Sequence, residues 1–256
     1  MPRPAISLVL PYFNEEAYLA ATLGSIAAQS ERDFELILVD NGSTDEGLRV
    51  ARAACEAMGD VAVQWLREER PGKIHALRTG IAAAAGEIVA TLDADTLYPP
   101  DYLARVRREF AADARIAAAF AFNRPPDRQR ASFAQRLYAW LWPRKCHTGG
   151  FGQAFRRDLL EAAGGFDFER WPFVLEDHEI VHRIAPLGTL AYSADHVCHP
   201  SDRRSDRSDC NWTLWERVQY KLLPGSAMEQ FFYGYLAERF TRRGLSTLRL
   251  RDKTWV

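Results

Sequence analysis

Cysteine is scarce in this chain, and long apolar runs are missing. Its four cysteines, Cys55, Cys146, Cys198 and Cys210, are scattered and include no CxxC pair. This excludes a disulfide scaffold and a cysteine-ligated zinc site, and it fits a reduced, cytoplasmic setting. No apolar stretch approaches the roughly 18 residues that span a bilayer. Because Pro11 interrupts the apolar start, we interpret that start as a first strand rather than a signal peptide.

Neither sign of charge dominates, since 33 Lys and Arg face 34 Asp and Glu. This balance argues against a dedicated nucleic-acid-binding protein. The ordinary composition, with 47% hydrophobic residues, excludes disordered and fibrous classes. Positive charge collects only near the end, where residues 238–253 hold six basic and two acidic residues. Two interpretations stay open for this tail: contact with an anionic membrane surface, or a solvated helix face.

Short apolar strands alternate with helical segments through the first half of the chain. The pattern predicts strands at 6–10, 34–39, 61–66, 88–92 and 116–122, and helices at 15–28, 73–85 and 101–110. A further helix, capped by Thr44 or Asp45, is predicted to end at Met58. This alternation is typical of an α/β fold with a mainly parallel sheet flanked by helices. In such sheets, ligands bind beyond the carboxyl ends of the strands.

The second half is less regular. We expect a flexible glycine turn at 149–152 that leads to a helix at 157–163, and another helix at 178–184. Residues 201–209 alternate Ser, Asp and Arg, which predicts a mobile loop before a helical C-terminal extension.

Acidic side chains follow two of the predicted strands. Asp93-Ala94-Asp95 comes directly after the fourth strand, where two buried carboxylates are costly unless positive charge lies beside them. A hard divalent cation that also binds a diphosphate would supply that charge, whereas the alternative is a solvated turn. Asp40 has the same placement after the second strand and can accept hydrogen bonds from a ribose or a base. Lys73 opens a predicted helix whose N-terminus attracts anions, so it is a candidate phosphate contact or a plain surface lysine.

Several segments in a fixed order resemble family 2 glycosyltransferases. They are SLVLPYFNEE at 7–16, LVDNGSTD at 38–45, GK at 72–73, LDAD at 92–95, GFGQAF at 150–155, GGFD at 164–167 and ED at 176–177. The resemblance covers about residues 5–190 and implies a GT-A fold. It also implies transfer of a sugar from a nucleotide-diphosphate sugar, with UDP favoured. The Gln-x-x-Arg-Trp motif of the processive synthases is absent, which argues for transfer of one sugar.

The resemblance also implies roles for individual residues. The residues expected to bind the nucleotide sugar are Pro11, Tyr12, Glu15, Asp40, Lys73, Asp93, Ala94 and Asp95. Asp95, with Asp93, would ligate Mn²⁺ or Mg²⁺. Asp177, beside Glu176, would be the general base of an inverting transfer. Arg78 departs from the family pattern, where a small polar residue is commoner.

The resemblance implies a division of the chain as well. The GT-A domain would occupy 1–200, with a nucleotide-sugar half at about 1–122 and an acceptor half at about 123–200. Residues 201–256 would form the loop and the extension. The acceptor, whether a saccharide, a lipid-linked molecule or a small molecule, stays open.

Two other functions compete with this one. His178-Glu179-Ile180-Val181-His182 matches the HExxH motif of zinc proteases, for which His196 or His199 would be a third ligand. A non-catalytic nucleotide-sugar or carbohydrate binder would keep the fold without the chemistry.

Further candidates lie downstream. On a strand, His199 shares a face with Asp195 and Val197, whereas His196 shares one with Cys198, so His199 is the candidate for an extra metal ligand; an ordinary polar strand end is the equal alternative. Arg203 and Arg204 would either clamp the diphosphate or lie in a solvated loop.

Aromatic residues form two further groups. The first, in the acceptor half, would stack on sugars or belong to the core; it comprises Trp140, Trp142, Trp171 and Phe173. The second, in the C-terminal region, would pack helices, face lipid or form a homodimer contact; it comprises Trp212, Trp215, Phe231, Phe232, Tyr233 and Tyr235.

Overall fold

The computed structural model describes residues 3–201 and 212–250, and a seven-stranded sheet forms its centre. The strands of this sheet, in spatial order, are β3 (Ala62–Arg67), β2 (Phe34–Asp40), β1 (Ile6–Tyr12), β4 (Ile88–Leu92), β8 (Gly152–Arg156), β6 (Ile116–Phe120) and β9 (Thr189–Ala191). The first four are parallel, β8 is antiparallel to β4 and β6, and β9 is parallel to β6. A small second sheet has the order β5 (Thr96–Leu97), β10 (Val197–Pro200) and β7 (Phe122–Asn123).

Helices connect and cover these strands. They are α1 (Glu16–Ala27), α2 (Gly47–Cys55), α3 (Lys73–Ala83), α4 (Tyr102–Ala112), α5 (Phe133–Leu141), α6 (Arg157–Ala162), α7 (Glu176–Ile184), α8 (Leu214–Leu222) and α9 (Ala237–Arg243). A π-helical segment, Gln230–Leu236, precedes α9, and a 3-10 turn, Thr247–Leu250, follows it. No helix in the described part of the chain is long and apolar enough to cross a membrane.

The sheet is buried on both faces because alternate residues of each strand enter different apolar clusters. On β1, Leu8 and Leu10 belong to the cluster under α1 and α4, whereas Val9 belongs to the cluster under α3 and α7. Both sets of side chains are fully buried. A strand covered on both faces reads as a continuous apolar run, so β1, β2 and β4 were predictable to within two residues of each end. The edge strand β3 is only half-buried, and it was predicted to within one residue. The expected α/β class is confirmed.

One expectation in the second half is wrong. The segment from Gly152 is not part of a flexible turn that leads directly to a helix; it forms β8, inserted between β4 and β6. Glycine is required there by close packing rather than by a bend. A Cβ at Gly152 would lie 2.9 Å from the Ala121 Cβ and 3.2 Å from the Cys198 Sγ. The predicted strand at 116–122 also divides, since the chain leaves the main sheet after Phe120 and joins the small sheet as β7.

The C-terminal helices pack into the same core as the rest of the chain. Phe232 and Phe240 contact the indole of the fully buried Trp171, at ring-centroid distances of 5.4 and 6.0 Å. Trp171 is therefore a core residue and not a sugar platform. Beyond α9 the chain turns back, and the Thr247 amide donates to the Pro172 carbonyl at 3.0 Å. Leu248 there lies against Gly72 at the start of α3.

Candidate active site

The carboxyl ends of β2, β1 and β4 meet at one edge of the main sheet. Tyr12 pairs with Asp40 in the parallel register of β1 and β2, and Pro11 lies one step before it. Asp93 follows β4, the other neighbour of β1. The edge thus brings together the strand-end residues of the three strands, as the sequence pattern predicted.

Asp40 is buried, and its surroundings combine turn chemistry with charge. One carboxylate oxygen, Oδ1, accepts a hydrogen bond from the Ser43 amide at 2.8 Å. The other, Oδ2, lies 3.8 Å from the guanidinium of Arg67. Burial, reinforced by the charge of Asp40, raises the pKa of the Tyr12 phenol well above its ordinary value. Tyr12 therefore stays a neutral hydrogen-bond donor at this edge.

Hydrogen bonds join the two loops beside Asp40, one after β1 and the other after β2. Asn14 has a left-handed backbone conformation (φ 53°). Its side-chain oxygen accepts a hydrogen bond from the Thr44 backbone amide at 2.8 Å, and its own backbone amide donates to Ser43 Oγ at 3.1 Å. Asp45 accepts from the Glu16 amide at 2.9 Å and from the first amide of α2 at 3.0 Å. Asp45 therefore accepts backbone hydrogen bonds at the starts of both α1 and α2, whereas Thr44 does not cap α2. Glu15, the residue before α1, is half-buried next to these loops.

A third loop presents Lys73 to the site. The buried Asn41 amide donates to the carbonyls of Glu68 (2.9 Å) and Arg70 (2.8 Å), and its oxygen accepts from the Gly72 amide at 2.8 Å. Gly72 has φ +125°, a conformation that favours glycine, and it directly precedes α3. Asn41 was not predicted as a site residue, since it contributes only by holding a loop that is distant in sequence.

The Lys73 ammonium lies at the centre of an acidic cluster. Its Nζ is 2.6 Å from Asp93 Oδ1 and 3.6 Å from Glu176 Oε1. Gly150 completes this cluster, because a Cβ there would lie 3.3 Å from Lys73 Nζ and 3.4 Å from Asp177 Cβ. Lys73 and Asp177 thus both approach Gly150, while Asp93 and Glu176 reach the cluster through Lys73.

Asp177 and Glu176 occupy the first turn of α7 but have opposite pKa shifts. Burial raises the pKa of Glu176, although Lys73 opposes that change. Burial also acts to raise the pKa of Asp177, but His178 and Lys73 outweigh it and hold this pKa below its usual value. The His178 ring nitrogen Nδ1 lies 2.9 Å from Asp177 Oδ1. Asp177 is therefore ionised near neutral pH, as a proton acceptor must be.

Two further residues that the sequence did not single out fix this cluster. The buried Tyr98 hydroxyl accepts from the Asp93 amide at 3.0 Å and donates to the Phe151 carbonyl at 2.7 Å, which joins Asp93 to the glycine segment. The Gln153 side chain donates to the Asp177 carbonyl at 3.3 Å. Neither Tyr98, five residues after Asp93, nor Gln153 in the short strand β8 carries a local sequence signal of its role.

Asp95 lies next to the small sheet that carries His199. Ser201 Oγ donates to Asp95 Oδ2 at 3.0 Å, and His199 pairs with Leu97 in the antiparallel register of β10 and β5. Since residues two apart on a strand share a face, His199 and Ser201 are both on the Asp95 side. His199 Nδ1 is 2.8 Å from the Arg124 carbonyl, which can only accept, so its Nε2 keeps the lone pair.

This donor set fits a divalent cation in its chemistry. Two buried carboxylates and an imidazole lone pair suit Mn²⁺ or Mg²⁺, with remaining positions open to diphosphate oxygens. Within residues 3–201 and 212–250, no three His, Cys, Asp or Glu side chains are already grouped to hold a metal. Arg203 and Arg204 lie outside the described residues.

The HExxH residues are engaged in other contacts. His178 is bound to Asp177, and the buried Glu179 is paired with Arg183 at 2.7 Å and accepts from the Tyr233 hydroxyl. The His182 ring stacks on Phe232, at a centroid distance of 5.3 Å. His196 is fully buried beside Glu109. This arrangement gives no support to a zinc-protease site.

Comparisons with known proteins identify the family of this chain. The family described as Glycosyl transferase family 2 matches residues 7–164. The undecaprenyl-phosphate 4-deoxy-4-formamido-L-arabinose transferase of Sodalis glossinidius is 32% identical over 167 residues, which are 61% of this chain and 50% of that protein. The chain spans about half the length of this curated relative.

Solved structures show the same architecture. The mannosyltransferase PcManGT from Pyrobaculum calidifontis, in complex with GDP-Man and Mn²⁺, is 27% identical with a TM-score of 0.70, covering 100% of this chain and 67% of that one. S. aureus TarS 1-349 in complex with UDP-GlcNAc is 16% identical with a TM-score of 0.64, covering 97% and 76%, a likeness in fold alone. The expected GT-A fold is confirmed. Because the family model matches more than half of this chain, the chain belongs to glycosyl transferase family 2.

Proposed function

We propose that this chain is a metal-dependent, inverting glycosyltransferase that moves one sugar from a nucleotide-diphosphate sugar to an acceptor hydroxyl. The observation that carries the proposal is the cluster at the carboxyl edge of the sheet in which Lys73 contacts Asp93 and Glu176 and, with Asp177, approaches Gly150. Such a cluster unites a cation suited to a phosphate with an ionised carboxylate suited to a hydroxyl proton.

The donor would lie along the sheet edge from Tyr12 to Asp95. The end proposed for the nucleoside is lined by Pro11, Tyr12, Glu15 and Asp40. Hydrogen bonds between the loops that follow β1 and β2 form that end before a ligand arrives. Lys73 and the segment Asp93-Ala94-Asp95 line the end proposed for the diphosphate. A UDP-sugar is the donor expected from the sequence, and GDP-mannose, named for the P. calidifontis structure, is the first alternative to test.

Asp177 performs the proton transfer in this mechanism. The acceptor oxygen forms a bond to the anomeric carbon while the bond from that carbon to the diphosphate breaks, and the electron pair of the broken bond leaves with the diphosphate. The hydroxyl proton passes to Asp177, whose ionised state His178 and Lys73 favour. Asp95, Asp93 and His199 would hold Mn²⁺ or Mg²⁺, which when bound adds positive charge beside the leaving diphosphate. Lys73 adds a further positive charge from the protein itself.

Replacing Asp177 by Asn tests the base. The variant keeps the shape of the side chain but cannot accept the proton, so turnover should fall by about 10²- to 10⁴-fold while donor binding survives. Asp127→Asn, which changes an exposed carboxylate, is the matched control and should keep full turnover. Unchanged turnover in Asp177→Asn would remove this residue as the base. If the unaltered chain binds a donor but neither transfers nor hydrolyses it, the protein is a binder instead.

A thermal-shift screen tests the donor and the metal. At 100 times its Kd, a donor adds about 2.7 kcal/mol to the free energy of unfolding. We expect such a shift with a nucleotide sugar and Mn²⁺, and a much smaller one without the metal or in Asp95→Ala. A donor shift that is independent of Mn²⁺ and of Asp95 would contradict the metal site.

The division of the chain is also part of the proposal. We assign 1–122 to donor binding, 123–200 to acceptor binding and 201–256 to an extension of the GT-A domain. The placement of Tyr12, Asp40 and Asp93 in the first part and of Asp177 in the second supports it. The cysteine usage supports a reduced, cytoplasmic setting, with free thiols at Cys55 and Cys146.

A further inference from the structure

Helices α5 and α8 expose large apolar side chains to solvent. Phe133 and Trp140 of α5 are 77% and 76% exposed, and Leu214, Trp215 and Leu222 of α8 are 80%, 63% and 70% exposed. These five residues define what we call the α5–α8 surface. Single exposed apolar residues are ordinary, but five of this size on two helices indicate an interaction site.

The side chains on α5 form a stripe that faces away from the core. Phe133, Leu137, Trp140 and Leu141 follow the i, i+4, i+7, i+8 spacing of one helix face, and all four are exposed. The buried residue of this helix is Ala139. The apolar face therefore is not the one that packs on the protein.

The two helices meet at their C-terminal ends, so their exposed residues belong to one region. The Lys221 ammonium of α8 lies 3.8 Å from the ring centroid of Tyr138 and 5.6 Å from that of Trp142. The Lys145 ammonium donates to the carbonyl of Leu223, directly after α8, at 3.0 Å.

Positive charge surrounds this region. Residues 124–147 contain six Lys and Arg but one Asp, and the exposed Arg130 and Arg136 flank or lie on α5. The acidic residue of α8, Glu216, is fully buried between Arg239 (2.7 Å) and Arg243 (2.9 Å) and does not oppose that charge. Apolar and tryptophan side chains rimmed by basic groups complement an anionic lipid bilayer.

The basic tail is a weaker candidate for the same contact. Arg239 and Arg243 form ion pairs with Glu216, and Arg242 forms one with Glu238. Among the described residues of the tail, three cations are thus paired with two carboxylates of this chain, which leaves less positive charge for a membrane.

The α5–α8 surface is next to the candidate base. Trp212 and Tyr220, at and within α8, contact the ring of His178 at centroid distances of 4.8 and 5.5 Å, and His178 binds Asp177. We propose that the α5–α8 surface docks on an anionic lipid bilayer, with Trp140 and Trp215 at headgroup level. The docked enzyme would hold Asp177 beside acceptors in the membrane, a consequence that rests on the proposed function.

Vesicle flotation tests the docking directly. The purified chain should float with phosphatidylcholine vesicles that contain phosphatidylglycerol, and less so at high salt or without the anionic lipid. The double variant Leu214→Ser/Leu222→Ser, and separately Trp140→Ser, should lower the partition constant about tenfold. Leu48→Ser is the matched control, since Leu48 is exposed on α2, away from this surface, and its loss should change nothing.

Two outcomes would overturn the docking proposal. The first is that the unaltered chain does not bind anionic vesicles, or that the variants bind as well as it does. The second is a dimer, seen by analytical ultracentrifugation, that the Leu214→Ser/Leu222→Ser variant abolishes, because the surface would then cover a second copy. Turnover of a soluble donor, by transfer to an acceptor or by hydrolysis, separates docking from function. The variants should keep that turnover, and the absence of both reactions in a vesicle-binding wild type would refute the enzyme and not the surface.

Discussion

Replacing Glu68 by Gln removes a negative charge from the loop that precedes α3 and presents Lys73 to the site. The Glu68 carboxylate accepts three hydrogen bonds from Arg70 at 2.9 Å each, and another from Thr79. These contacts, led by Arg70, lower the pKa of Glu68 from 4.5 to about 2. That difference corresponds to about 3 kcal/mol of stability. Because the Arg70 side chain is 61% exposed, solvent screens the pair and we expect Glu68→Gln to cost about 2 kcal/mol.

The cost should depend on pH in a defined direction. A carboxyl whose folded-state pKa is lowered stabilises the protein fully above its unfolded pKa, near 4.5, and that stability is lost as pH falls toward 2. The gap in the free energy of unfolding between wild type and Glu68→Gln should therefore shrink by about 0.8 kcal/mol between pH 7 and pH 4. Urea unfolding at the two pH values measures both gaps.

Glu69→Gln is the control for this experiment. Glu69 pairs with Arg67, but their side chains are 77% and 59% exposed, so its loss should cost less than about 0.5 kcal/mol. Wild-type stability in Glu68→Gln at pH 7, or a gap that stays constant down to pH 4, would refute the reasoning.

Two further substitutions test the packing and the electrostatics of the site. Gly80→Ala in α3 would put a Cβ against a methyl of Val9 and should lower the free energy of unfolding by about 1–3 kcal/mol. Gly24→Ala in α1 would put a Cβ where no atom lies within 4 Å, and it should raise the free energy of unfolding by up to about 1 kcal/mol. Equal melting temperatures in the two variants would contradict this. His178→Ala removes the group that lowers the pKa of Asp177, so the acid limb of kcat/KM should move to higher pH. A limb that stays in place would show that His178 does not tune the base.

The first half of the fold was predictable because both faces of its strands are covered. Each of β1, β2 and β4 is an apolar-rich run that ends in a polar side chain or is directly followed by one, and so the sheet edge could be located from the sequence. The C-terminal half lacked that signal. The start of β8 is a glycine that close packing demands. Helix α5 was missed although its four exposed apolar residues recur at the spacing of one helix face.

The site was predictable in its residue types but not in its contacts. Lys73, Asp93 and Asp177 each follow a recognisable motif, yet the 2.6 Å contact of Lys73 with Asp93 joins residues twenty apart. Asn41 and Tyr98 act by fixing loops that are distant in sequence, through hydrogen bonds to backbone groups. Because any loop can supply backbone groups, the sequence carries no pattern that reveals such roles.

The return of the chain after α9 affects the order in which the protein is assembled during synthesis. Leu248 packs against Gly72, the residue that sets Lys73 at the start of α3, and a Cβ at that glycine would lie 3.1 Å from the leucine Cδ2. Contact between positions about 175 residues apart forms late and slowly, since the intervening loop must first close. The ribosome therefore synthesises the chain through residue 248 before this side of the candidate site is complete. A nascent chain that stops before residue 248 is accordingly expected to have its sheet but an unfinished candidate site.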